Sequence, residues 1–259
     1  MERARGKLHP IEMGGKTMNR ALHPETGIRP RDTQLILPAA GAGKRLGSNR
    51  AKALVDVAGM PLVVRTLERF LPLALVDRAV LLAPPGREKA FEDVLARAFP
   101  SCDLRVAPGG DTRQTSVAKG LDRLAETTEI VVIHDAARPF VTEDSIRAAI
   151  EAARRHGAAT VAIPATDTVL EADEEQFLAA TPDRRRLWLC QTPQAFQVPV
   201  IRKAHELARA EGFVGTDDAS LVRRIGGRVK LVSGTVLNFK VTTPTDLAMA
   251  KHVVQEKLI

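Results

Sequence analysis

The chain has 259 residues, 44% hydrophobic and 27% charged, which suits one large globular domain or a domain with an appendage. No apolar run approaches the ~18 residues of a membrane span, and the first 20 residues lack the apolar stretch of a secretory signal, so a cytoplasmic protein without a membrane partner is expected. The net charge of +7 invites a nucleic-acid reading, but eight Phe, one Trp and no Tyr offer too little stacking surface and the Lys and Arg are scattered; the surplus equally suits a small, highly anionic substrate.

Residues 1–32 alternate Pro, Gly and charge without periodicity and read as a disordered leader, with Met18 as a second possible start. From there short apolar runs alternate with amphipathic stretches, the pattern of strands and helices around a mostly parallel sheet. Strands are expected at Leu35–Ala39, Ala79–Ala83, Leu104–Val106, Ile130–His134, Ala159–Ile163 and Val229–Val232. Helices are expected at Pro61–Leu71, Arg87–Ala98, Arg113–Leu124, Glu143–His156, Val200–Ala210, Asp218–Ile225 and Thr245–Glu256, the last opened by Thr243 as cap, Pro244 in the first turn and Asp246. One stretch, 166–188, breaks the alternation: strand Asp167–Glu171, an acidic turn and strand Gln176–Ala180 predict an inserted β-hairpin. An isolated hairpin is barely stable in water, so a second copy of the chain is its economical partner. Cys102 and Cys190 have neither the number nor the clustering of a disulfide framework or a zinc site.

The first strand runs into Ala39-Ala40-Gly41-Ala42-Gly43-Lys44-Arg45-Leu46-Gly47, a glycine-rich and doubly basic turn. Gly41 and Gly43 let backbone N–H groups approach a ligand, and Lys44, Arg45 and Lys52 supply charge, so polyphosphate is the natural guest. A dinucleotide fingerprint fails because the third glycine stands one residue late and no acid ends the second strand at Leu82-Ala83-Pro84. A Walker A loop fails because Arg45, not Ser or Thr, follows Gly43-Lys44.

Further motifs follow in order: Gly109-Gly110-Asp111-Thr112-Arg113-Gln114-Thr115-Ser116-Val117, His134-Asp135-Ala136-Ala137-Arg138-Pro139-Phe140, Thr216-Asp217-Asp218-Ala219-Ser220 and Asn238-Phe239-Lys240-Val241-Thr242. Together with the first loop they resemble the 2-C-methyl-D-erythritol 4-phosphate cytidylyltransferase family over about residues 34–257. The resemblance implies a Rossmann-like nucleotidyltransferase sheet over 33–259, with 166–188 as a dimerisation hairpin arm. It also implies transfer of a cytidylyl group from CTP to 2-C-methyl-D-erythritol 4-phosphate, in isoprenoid precursor synthesis, with Mg2+ or another divalent cation on the triphosphate and a homodimer as the working state. By the same resemblance Arg45, Lys52 and Lys240 are catalytic cations. Ala39, Ala40, Gly41, Gly43, Gly110, Asp111 and Ser116 hold the nucleotide. Asp135, Arg138, Thr168, Arg184 and Thr192 hold the acceptor, Thr168 and Arg184 reaching into the partner subunit, and Asp135 stands close enough to influence the metal.

Plainer readings stand beside these. Asp111 could be an acid favoured by a helix N-terminus, Asp135 and Arg138 a loop salt bridge, and Arg184-Arg185-Arg186 a solvated basic run. His134 reads as structural, because its side chain leaves the strand on the opposite face from Asp135, and Thr216–Ser220 reads as a helix cap. A ribitol 5-phosphate cytidylyltransferase, which shares the first loop, the His-Asp-Ala motif and the Lys240 region, remains the nearest alternative, and a catalytically silent phosphate-binding module a more distant one.

Overall fold

The computed structural model describes residues 32–41, 51–73, 75–76 and 78–259. In chain order its elements are β1 (Thr33–Pro38), β2 (Asp56–Val57), β3 (Met60–Pro61), α1 (Leu62–Leu67), β4 (Arg78–Ala83), α2 (Glu88–Ala98), β5 (Leu104–Pro108), α3 (Arg113–Leu121), β6 (Ile130–Ile133), α4 (Glu143–His156) and β7 (Ala158–Pro164). They continue with β8 (Glu171–Ala172), β9 (Leu178–Ala180), β10 (Trp188–Gln197), α5 (Val198–Ala210), α6 (Asp218–Arg224), β11 (Lys230–Ser233) and α7 (Pro244–Gln255).

Seven strands form one sheet in the order β11-β7-β10-β6-β1-β4-β5. All neighbours are parallel except β10, which runs antiparallel between β6 and β7. Alternate residues of the strands feed two apolar layers, as a pleat requires. Leu35, Leu37, Leu81 and Val132 face a layer closed by α1, α2 and α4, while Ile36, Val80, Leu82 and Val131 face α3, α5 and α6. Because both faces are covered, the central strands read as nearly continuous apolar runs, which is why they stood out in the sequence. A third, smaller cluster seats α7 through Ala250 and Val253 against Val57, Phe140 and Val241.

The expected β1, β4, β5, β6, β7 and β11 form to within two residues at most of their ends, and α7 has the predicted cap: Thr243 accepts from the Asp246 backbone N–H and Asp246 reaches back to that of Thr243. The first helix differs. It ends at Leu67, and a 3-10 turn takes up Leu71–Leu73. β10, a ten-residue strand inside the sheet between β6 and β7, has no counterpart among the expected strands. The predicted leader boundary also shifts by one residue, since Asp32 is buried, pairs with Arg154 and accepts the Glu129 backbone N–H at 2.8 Å. Residues 1–31 lie outside the described residues.

At the predicted hairpin, the two strands are far shorter than expected. Only Glu171–Ala172 and Leu178–Ala180 pair, with Glu171 opposite Ala180 and Ala172 opposite Leu178. Asp167–Leu170 is not strand, and Gln176, expected in the second strand, turns the chain at φ 69°.

Candidate active site

From β1 the chain builds outward to β4 and β5, then returns to place β6 on the other side of β1. That reversal opens a crevice at the carboxyl ends of the strands, the place where open α/β sheets bind ligands. A cavity of about 380 Å³ lies there, lined by Pro38–Gly41 after β1, Gly110–Arg113 after β5 and Asp135–Ala137 after β6, with Lys52, Ala53, Ser116, Lys240 and Thr242.

The loop after β5 is held flat against the sheet. Gly109 donates to Ala83 O at 2.7 Å and its carbonyl accepts Lys119 Nζ at 2.7 Å. A side chain at Gly109 would meet Ala40 Cβ at 2.8 Å, and one at Gly110 would run into Thr115, so both positions need glycine for close approach. Thr112 caps α3 by accepting from the Thr115 N–H, an arrangement worth about 1 kcal/mol. Ser116 is buried; its hydroxyl donates to Thr112 O at 2.8 Å and accepts the Gly110 N–H at 2.9 Å, so it shapes the loop after β5 from beneath. Asp111 is exposed on the cavity wall, ahead of the cap.

Asp135 is the centre of charge on the cavity floor. Its carboxylate accepts Lys240 Nζ at 2.7 Å and Arg113 Nε at 3.1 Å, with Arg138 Nε at 3.9 Å. Burial would raise its pKa, but Arg113, Lys240 and Arg138 outweigh that and hold it well below the usual carboxylate range. Arg138 faces inward: Nη1 donates to Asn238 O at 2.7 Å, and it does not line the cavity itself. Burial lowers its pKa, partly countered by Asp135.

Behind the floor a neutral histidine sets the frame. His134 is fully buried, and burial brings its pKa down to about 4. Its Nε2 faces Arg138 O at 2.9 Å and must carry the proton, so Nδ1 accepts from Thr192 Oγ1 at 3.0 Å. Thr192 Oγ1 then receives the Asp135 backbone N–H at 3.1 Å. Thr192 is thus placed beneath Asp135 with its hydroxyl proton committed, and its route to an acceptor runs through Asp135. Asn238 ties β10 to the Lys240 loop by donating to Gln191 Oε1 at 3.0 Å and Thr192 O at 2.8 Å.

Of the residues singled out in the sequence, Ala39, Ala40, Gly41, Lys52, Gly110, Asp111, Ser116, Asp135 and Lys240 line one cavity. Lys52 also stands near Asp246, whose pKa it helps to lower beyond the effect of the α7 cap hydrogen bonds, against the rise that burial alone would give. Gly43, Lys44 and Arg45 lie outside the described residues. Thr168 and Arg184 lie apart from the cavity on the exposed hairpin segment, Arg184 Nη1 donating to Thr166 O at 2.9 Å. Sequence reasoning missed Arg113 as a site residue. Its signal was position: Arg113, Ser116, Val117 and Gly120 fall at the i, i+3, i+4, i+7 spacing of one helix face, so the arginine shares the buried side of α3.

Among the described residues no three His, Cys, Asp or Glu side chains converge as a metal cage, and no helix is long and apolar enough to cross a membrane. A glycine-shaped loop, lysines from distant parts of the chain and a switch-point cavity define a nucleotide-handling α/β protein in whose cavity lining cations outnumber carboxylates among the described residues. Comparison with known proteins narrows this class. The family model for 2-C-methyl-D-erythritol 4-phosphate cytidylyltransferase matches residues 33–256. The curated 2-C-methyl-D-erythritol 4-phosphate cytidylyltransferase of Geobacter metallireducens is 45% identical over 228 residues, covering 86% of this chain and 97% of its own. Among solved structures, the 4-diphosphocytidyl-2C-methyl-D-erythritol synthase of Anaerococcus prevotii superposes with a TM-score of 0.77 at 30% identity, covering 86% of this chain and 98% of that one. The 2-C-methyl-D-erythritol 4-phosphate cytidylyltransferase of Thermus thermophilus superposes with a TM-score of 0.71 at 33% identity, with coverage of 86% and 98%. The chain belongs to the 2-C-methyl-D-erythritol 4-phosphate cytidylyltransferase family.

Proposed function

We propose that this protein transfers the cytidylyl group of CTP to 2-C-methyl-D-erythritol 4-phosphate, forming 4-diphosphocytidyl-2-C-methyl-D-erythritol and releasing pyrophosphate. One observation carries the reading. In a family member, the switch-point cavity brings Lys52 and Lys240 from distant parts of the chain to the glycine loop and Asp135.

The chemistry asks little of acid or base. An acceptor phosphate oxygen, already ionised near neutral pH, attacks the α-phosphorus; the bond to the bridging oxygen of the β-phosphate breaks, and pyrophosphate leaves with that electron pair. The barrier is repulsion between two polyanions, so fixed cations and positioning do the work. Lys52 and Arg45 would hold the triphosphate, and Lys240, oriented by Asp135, would stand between nucleotide and acceptor. The Gly109–Asp111 loop offers backbone groups to the pyrimidine edge. Asp135 meets the acceptor hydroxyls, with Thr192 and His134 fixing its backbone and Arg138 fixing the Lys240 segment through Asn238.

Magnesium would enter with CTP. Among the described residues Asp111 and Asp135 are the carboxylates that line the cavity, and both oxygens of Asp135 already accept from cations, so the donor set fits an ion carried by phosphate oxygens and water rather than a protein cage. Bound there, the ion would neutralise triphosphate charge.

The working unit is proposed to be a homodimer in which the hairpin carries Thr168 and Arg184 to the partner's acceptor phosphate. Supporting this, Leu170, Phe177 and Leu178 are more than 60% exposed, and apolar groups gathered on a thin exposed arm suit an interface. The cytoplasm, where CTP is made, is the proposed location. The test is direct: purified protein with CTP and 2-C-methyl-D-erythritol 4-phosphate should release pyrophosphate and form the cytidine diphosphate ester, and ribitol 5-phosphate in equal concentration should compete poorly. Preferential turnover of ribitol 5-phosphate would replace the acceptor; no turnover of either would overturn the reading.

A further inference from the structure

Asp217 and Asp218 look alike in the sequence and do different things in the fold. Asp217 caps α6, accepting the Ser220 N–H at 2.8 Å. Asp218 turns the other way and is 1% exposed. Its Oδ2 accepts Arg113 Nη1 at 2.6 Å and its Oδ1 meets His205 Nε2 at 2.9 Å. Arg113 therefore hangs between two carboxylates, with the shorter contact to Asp218 and the longer one, 3.1 Å, to Asp135. Its Nη2 is buried without a hydrogen-bond partner. A guanidinium beside a single carboxylate ordinarily closes on it through two parallel N–H bonds. The orphaned Nη2 and the divided contacts show that it closes on neither.

We infer that Asp218 is a positioning residue for the reaction: by holding Arg113 back, it keeps Asp135 available to Lys240. Lys240 is the weaker competitor for that carboxylate, since its side chain is 40% exposed and contributes one point contact, against the 25% exposed forked arginine. Without the Asp218 charge, Arg113 would have one carboxylate left to neutralise it. It would swing onto both oxygens of Asp135, and the Lys240 ammonium would be released from its place between the substrates. The consequence falls on the acceptor side of the site, because the CTP loop at Gly109–Asp111 is held by Ala83, Thr112, Ser116 and Lys119 and not by Asp218.

This inference rests on the proposed reaction for its kinetic readout and on geometry for its structural one. Asp218→Asn keeps the shape and removes the charge. The crystal structure of that variant should show Arg113 bidentate on Asp135 and Lys240 Nζ no longer within 4 Å of it; an unchanged Lys240–Asp135 contact overturns the inference, whatever the wild type does with CTP. In kinetics, kcat/KM for the acceptor should fall about 10-fold or more while the CTP dissociation constant by calorimetry moves less than about threefold. Adding Asp218→Asn to Arg113→Gln should cost little beyond Arg113→Gln alone, because the aspartate acts only through the arginine. Additive losses, or equal losses for both substrates, would assign Asp218 a merely structural part in seating α6. Should Asp218→Asn not fold, Arg113→Lys keeps the charge but cannot fork onto both oxygens of Asp135; it should leave the Lys240–Asp135 contact in its crystal structure and acceptor kcat/KM within about threefold, and loss of that contact would contradict the inference. A wild-type enzyme inert toward 2-C-methyl-D-erythritol 4-phosphate would instead defeat the functional reading and leave the structural outcome to decide this one.

Discussion

The floor of the cavity and the β8–β9 hairpin sit on one chain and are finished to different degrees. Around Asp135 both carboxylate oxygens and the backbone N–H are engaged, and the supporting His134, Thr192 and Asn238 are all at least 95% buried. Along the hairpin, residues 171–180 are all exposed, two short strands make the only ladder, and Phe177, 67% exposed, covers nothing. A catalytic floor must be rigid before substrate arrives, so the chain completes it alone. A two-stranded ribbon is barely stable by itself in water, so the exposed hairpin is the part that the proposed dimer would complete. Lys240 and Asp135 lie in the first region, and Thr168 and Arg184, proposed for the acceptor phosphate, lie in or beside the second.

The largest effects should come from the proposed catalytic cations. Lys52→Ala, Lys240→Ala and Arg45→Ala should each lower cytidylyl transfer by about 10²-fold or more, roughly 3 kcal/mol of transition-state stabilisation, without loss of fold by circular dichroism. Wild-type turnover by a folded Lys52→Ala protein would break the division between the two regions at once. Next, Arg184→Ala should lower kcat/KM for the acceptor by about 10²-fold and leave CTP affinity by calorimetry nearly unchanged, whereas Lys52→Ala should weaken CTP; the reverse partition would exchange the two regions' roles.

The rigidity of the floor has a pH signature of about 3 kcal/mol. His134 titrates near 4 in the fold against about 6.5 when exposed, so its contribution is whole above 6.5 and is lost as the unfolded state takes up a proton first, between pH 6.5 and 4. The stability gap between wild type and His134→Gln in urea should therefore narrow by about that amount from pH 7 to pH 4. A constant gap would mean the imidazole is not held neutral. The smallest effect is expected from deleting residues 1–31, which have no apolar periodicity to dock and precede the family match. Activity and melting temperature should stay within experimental scatter provided Asp32, the partner of Arg154, is retained.

Much of this was legible in the sequence for a physical reason. Parallel strands covered on both faces are apolar throughout, and the site loops follow directly from their carboxyl ends, so Leu35–Ala39 and Ile130–His134 announced both sheet and site. β10 was hidden because polar Gln191, Thr192 and Gln194 stand buried in its middle, leaving only Ala195 and Phe196 as its buried core residues beside Pro193. Gln194 is fully buried, yet it donates to Asp217 at 2.7 Å and Thr160 at 2.9 Å and accepts the Asp218 N–H at 3.1 Å, while Pro193 interrupts the pairing with β7. A strand whose polar groups brace a site has no hydrophobic alternation to read. Asp218 was legible in hindsight, since Asp218, Leu221 and Val222 share the i, i+3, i+4 spacing that buries one face of α6. What stayed out of reach was the pairing itself: Arg113 and Asp218 are 105 positions apart, and only the packing of both α3 and α6 against α5 brings them together.

The central claim is that each site joins the floor of one chain to the hairpin of another, and mixing tests it. Lys52→Ala and Arg184→Ala homodimers should each be nearly inactive, because both sites of each carry one lesion. In a hybrid dimer one site collects both lesions and the other receives neither. Random reassortment makes about half the dimers hybrid, so about a quarter of wild-type activity should return. No recovery after verified subunit exchange would place Arg184 in its own chain's site and contradict the account.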